Sequence, residues 1–191
     1  MKKRYLLILA SVVFLLGACS DKENKTVATV NDVEITQGQL DEALRKQYGV
    51  EVLELLMTNE IIRQEAEAQK VEITDEELDA EYQEYADFYG GEDALLESLA
   101  TYNMTKDDIL NDITTYLLTV KLIEKDITLT DEEIQSYYEE NKDRLITDDG
   151  EQLAFEDVKE DVRAALLEER IDAEYGTWLD EKFEQYDIKT Y

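Results

Sequence analysis

The feature that most narrows the folds open to this chain is a helix opening that occurs twice, Ile73-Thr74-Asp75-Glu76-Glu77-Leu78 and Leu129-Thr130-Asp131-Glu132-Glu133-Ile134. In each, a threonine with a glutamate three residues later forms the reciprocal cap that satisfies free backbone N–H groups, and acids crowd the positive end of the helix. Thr36 with Gln39 repeats the chemistry, and Thr105 caps a face of Ile109, Ile113, Tyr116, Leu117 and Val120. Between these starts apolar residues recur at three and four, as in Leu53, Leu56, Met57, Ile61 and Ala66. A folded, mostly helical protein follows. One recurrence is not a solenoid, because helices opened by the same cap look alike without a shared origin.

The elements can be placed in order. Val27 to Val30 and Val33 to Ile35 alternate apolar and polar about Asn31-Asp32, the pattern of a small hairpin. A first helix starts at Thr36, with Leu40, Ala43 and Leu44 as its stripe, and is expected to break at Gly49. A second runs from about Val50 to Gln69, the most apolar segment after the leader. The Thr74 helix ends at Gly90-Gly91, and Leu95, Leu96 and Leu99 make a short helix. The stretch Leu145 to Gly150 reads as a loop, and one long amphipathic helix runs from Phe155 to about Tyr186. In that helix Gly176 is a bend or a close contact and Trp178 a packing anchor. Asp187 to Tyr191 alternates again and is expected as a strand beside the hairpin. The expected fold is therefore a mostly α multi-helix cradle with a small antiparallel β element formed by the N-terminal hairpin and the C-terminal strand.

Ahead of this domain stand Lys2, Lys3 and Arg4, an apolar run from Tyr5 to Leu16 too short to span a bilayer, and Leu16-Gly17-Ala18-Cys19. That is a secretory signal whose ending resembles the bacterial lipoprotein signal. It implies removal of residues 1–18, lipidation of Cys19, a tether over 19–26 and one domain over 27–191. Cys19 is the only cysteine, so it has no internal disulfide partner, and lipidation removes a free thiol from an oxidising compartment. Two or more acyl chains on it hold a protein at a membrane stably, where one holds it only marginally.

Composition then excludes function classes. Without the three basic residues of the leader, 16 basic residues face 48 acidic ones, a net charge of -32. Such a surface repels nucleic acid and anionic headgroups, which excludes nucleic acid as a partner and leaves membrane contact to the lipid anchor. There is no histidine and no proline, so an enzyme here must work with carboxylates, tyrosines or lysines alone. No phosphate-binding glycine loop is present, which excludes a nucleotide, and no cofactor is expected. Gly150 and Glu156 have the spacing of a calcium loop, but Leu145 and Thr147 stand where its first ligands belong, so no metal site is expected beyond weak, diffuse divalent binding. Tyr82, Tyr85, Phe88 and Tyr89 fall along one side of their helix. They are either core or, with Tyr102, Met104, Tyr137 and Tyr138, the lining of a client-binding groove, for which tyrosine and methionine suit weak contact with many partners.

Taken in order, Ala28 to Thr36, the two T-D-E-E openings, Tyr137-Tyr138-Glu139-Glu140-Asn141-Lys142-Asp143-Arg144 and Phe155-Glu156-Asp157-Val158 resemble the SurA and PrsA class of bacterial extracytoplasmic foldases. The resemblance covers essentially the whole domain. It implies a helical module that cradles unfolded exported proteins without ATP. In that class a parvulin-type prolyl isomerase domain is inserted between the Tyr-Tyr-Glu helix and the last helix. Here residues 145–154 are too few for a domain, and a parvulin site draws on histidines that this chain lacks. The expectation is a membrane-tethered holding chaperone that is not an enzyme, with a scaffold lipoprotein serving one dedicated folded partner as the alternative.

Overall fold

The computed structural model describes residues 23–147 and 150–191. The leader, Cys19 and the start of the tether lie outside the described residues. The architecture is mostly α, six helices with one two-stranded antiparallel sheet. The chain divides into two compact units between Glu54 and Leu55.

In the first unit β1 (Thr26–Val30) pairs with β2 (Val33–Thr36) in the register Val30 to Val33, Thr29 to Glu34 and Ala28 to Ile35. Asn31 and Asp32 both take positive φ, 45° and 67°, the turn geometry whose twist matches that of the strands, and one that asparagine and aspartate tolerate. Helix α1 (Gln37–Gln69) follows at once. The Thr36 N–H donates to Gln39 Oε1 at 2.9 Å and the Gln39 N–H donates back to Thr36 Oγ1 at 3.3 Å. Within residues 23–54 no described residue is buried, and Val30, Val33, Leu44, Tyr48 and Val50 are all exposed.

The second unit holds the cores. Helices α2 (Asp75–Phe88), α3 (Glu92–Thr101) and α4 (Lys106–Glu124) close over Tyr82, Ala86, Leu95, Leu99, Ile109 and Ile113. Helices α5 (Asp131–Asn141) and α6 (Phe155–Gln185) close over Ile134, Tyr138, Val158, Val162 and Leu166. The C-terminal half of α1 joins them through Ile62 and Ala66, which pack on Leu122 of α4 with Trp178 of α6 alongside. Thr74, Thr105 and Thr130 each carry the full reciprocal cap. At α2, Lys121 of α4 donates to the capping Glu77 at 2.7 Å and to the Glu72 carbonyl at 2.9 Å, so the cap is also a tertiary contact.

Three local expectations change. Helix α1 runs straight through Gly49; a lone glycine costs a helix only about 1 kcal/mol, which a long helix tolerates. Gly176 likewise sits inside α6, and a Cβ there would meet nothing, so it marks no close approach. Residues 187–191 form no strand, and the sheet contains β1 and β2 alone. Among the described residues of 145–150 there is no helix or strand, as the loop reading expects; Ile146 bridges Gln152, and the Leu153 N–H donates to the Leu145 carbonyl at 2.9 Å.

Candidate functional site

The eight side chains expected to line a groove do not form one surface. Tyr82 is 7 % exposed, with its hydroxyl on Glu92 at 3.1 Å and the Lys106 ammonium 4.1 Å from its ring centre. Tyr138 is equally buried, donating to the Leu153 carbonyl at 2.6 Å and set edge-on to Phe155. Both are packing residues and offer no face to a client. Met104 and Tyr85 are half-buried on the α2–α4 core, and Tyr137 is half-buried on the α5–α6 core. Burial, followed by the Glu169 carboxylate, raises the pKa of Tyr137. What remains open is at the end of α2 and of α3. Phe88 is 85 % exposed and stacks edge-on with Tyr89 at 5.6 Å, Tyr89 lies 5.3 Å from Tyr85, and Tyr102 is exposed. The stripe thus turns from core to surface along a single helix.

A second feature was not expected from the sequence. Leu55 and Ile62 of α1, Tyr116 and Val120 of α4, and Ile171 and Tyr175 of α6 wall a cleft of about 280 Å³. Thr115 and Thr119, also in its lining, donate their hydroxyls to the Asn111 and Thr115 carbonyls of their own helix at 3.0 and 2.8 Å, which leaves their methyl groups as the apolar contribution. Burial, then the carboxylates of Glu81, Glu168, Asp172 and Glu84, pushes the Tyr116 phenol above its ordinary value. The sequence places Tyr116 on the apolar face of α4. Its phenolic edge was the one signal that this position meets water.

A larger cleft of about 390 Å³ lies where the α4–α5 connection meets α6, with Ile127, Leu129 and Trp178 against Asp126, Glu174 and Glu181. Arg170 reaches Glu133 there at 3.3 Å. Among the described residues no group of three or more acids or thiols is placed to hold a metal ion.

No family model matches the chain. The foldase protein PrsA of Halalkalibacterium halodurans is 31% identical over 169 residues, 82% of this chain and 50% of that protein. The chain is a homologue of the PrsA foldases. Foldase protein PrsA 1 of Listeria monocytogenes is 27% identical over 138 residues, 72% of this chain and 44% of its own length. The chain therefore spans about half the length of the curated PrsA proteins it matches. Among solved structures, the peptidylprolyl isomerase PrsA from Bacillus cereus superposes with a TM-score of 0.54 at 15% identity, covering 88% of this chain and 94% of that one. At that identity the likeness is one of fold. It extends the PrsA relationship from sequence to the arrangement of helices.

Proposed function

We propose that this chain is a membrane-anchored, ATP-independent holding chaperone that keeps exported proteins from aggregating and has no prolyl isomerase activity. The observation that carries the reading is the kinship with PrsA foldases through 82% of the chain and half of the relative, combined with what lies between α5 and α6. There only residues 145–154 separate Arg144 from α6, Ile146 bridges Gln152, and the chain has no histidine. A holding role needs accessible apolar and aromatic surface and no catalytic group. Phe88, Tyr89, Tyr102, Tyr116 and Tyr175 supply that surface. Attachment rests on Leu16-Gly17-Ala18-Cys19, and no described helix is long and apolar enough to cross a membrane.

The test is suppression of light scattering from a chemically denatured client diluted into buffer containing the full chain in nanodiscs. The account expects suppression near equimolar ratio, weakened by Phe88→Ala with Tyr102→Ala; growth of scattering unchanged for several clients contradicts it. The same preparation should leave a proline peptide at its uncatalysed isomerisation rate. Cys19→Ala should release the protein from the membrane fraction or leave an uncleaved precursor.

A further inference from the structure

The cleft walled by α1, α4 and α6 combines two properties that a single ligand would satisfy. Its walls are apolar and wet: Leu55 is 58 % exposed, Tyr116 49 % and Tyr175 37 %. The space of about 280 Å³ admits a side chain or two of an extended segment and excludes a folded surface. Its lining carries one carboxylate, Asp172, and Glu168 stands one helical turn before it on α6. Glu81, Glu84 and Glu168 act on Tyr116 from α2 and α6. Burial and the neighbouring Glu84 and Glu168 push the Glu81 carboxyl up, with no cation opposing them.

Among the described residues none of these four carboxylates has an ion-pair partner, whereas Glu65, Glu77, Glu92 and Glu133 each have one. Like charges sharing a partly desolvated region repel, and a cation brought among them relieves that repulsion. The acids are spread rather than convergent, and among the described residues they form no metal-holding group. That geometry suits a long, flexible cationic side chain more than a bare ion. The exposed face of Tyr116 adds a ring on which an ammonium or guanidinium rests favourably.

We propose that this cleft binds an extended client segment in which an apolar residue is followed or preceded by lysine or arginine, the apolar side chain entering between Leu55, Tyr116 and Tyr175 and the cation lying among Glu81, Glu168 and Asp172. The assignment rests on the holding-chaperone reading and adds to it the class of segment recognised. Charge complementarity selects this occupant. A second copy of the chain, carrying a net charge of -29, would bring further negative charge to these carboxylates.

The experiment uses the full chain in zwitterionic nanodiscs and two labelled, proline-free peptides with identical leucines, one carrying lysine beside each leucine and the other glutamine. The lysine peptide should bind more tightly. Glu168→Gln with Asp172→Asn should weaken it about three- to tenfold, the range for losing two partly exposed ion pairs, and leave the glutamine peptide unchanged. Glu97→Gln with Glu184→Gln, which removes the same charge elsewhere, should change neither. Leu55→Gln, at a solvent-exposed site that the fold does not depend on, should weaken both.

Equal binding of the two peptides, equal loss in the control pair, or no effect of Leu55→Gln overturns the proposal. If the peptide preference is missing while aggregation is still suppressed, the site is wrong and the holding function stands. If suppression is missing as well, both fail.

Discussion

Lys182 on α6 donates to Glu65 on α1 across 3.0 Å, with side chains 17% and 12% exposed, and the Tyr186 hydroxyl reaches the same carboxylate at 3.0 Å. Burial alone would raise the Glu65 pKa, but the hydrogen bonds from Lys182, Tyr186 and Gln69 outweigh it and leave the group below its usual value. Removing one partner strands a charge in a poorly solvated place. Lys182→Met should therefore cost about 2 kcal/mol in urea unfolding, less than a fully buried pair because water still reaches this one. Adding Glu65→Gln should recover much of the loss, and a purely additive double variant contradicts the pairing.

Glu77 is a simpler case. Hydrogen bonds from Lys121 and from the Thr74 backbone hold its carboxyl down to about 2. A carboxylate lowered by folding contributes stability that is complete above its unfolded value near 4.5 and is lost as pH falls toward the folded one. Glu77→Gln keeps the cap, as Gln39 does at α1, and removes the charge. Between pH 4.5 and about 2 its stability should fall less steeply than that of the wild type; parallel curves contradict the assignment. These caps were legible in the sequence because capping is a contact between residues three apart. The roles of Tyr116 and Tyr175 were not legible, because whether an amphipathic face meets a neighbour or water depends on helices far away in the chain.

Among the elements, α1 carries the main lesson. Gly49 has helix-breaking composition, yet the hydrogen-bonded ladder continues through it because stop signals act only where the flanking residues also favour an end. A Cβ at position 49 would come 3.1 Å from the Arg45 Cγ, the middle of a flexible, exposed side chain. Gly49→Ala should consequently slow amide exchange over residues 40–54 and stabilise that stretch by about 0.5–1 kcal/mol; faster exchange there contradicts a continuous helix. At the other end, Asp187 to Tyr191 has strand-like alternation without strand pairing. A period of two is a necessary mark of a half-buried strand, and a partner edge supplies the rest. The two T-D-E-E helices show how far local pattern reaches. Their openings match in cap and acids, but α2 joins the core with α3 and α4 while α5 joins the core with α6.

At the scale of the whole molecule, the proposed holding role sets a strongly acidic, mostly helical chain against unfolded clients. At a net charge of -29 copies of the chain repel one another, and the same field favours partners that bring opposite charge. Kinship with PrsA runs through half of the relative's length. The most direct test is a titration, in one instrument, of the full chain against a single client prepared both as its native form and as a permanently unfolded variant. Measurable affinity is expected for the unfolded form and none for the native one; binding of the native form alone, or of neither, rules out the holding role.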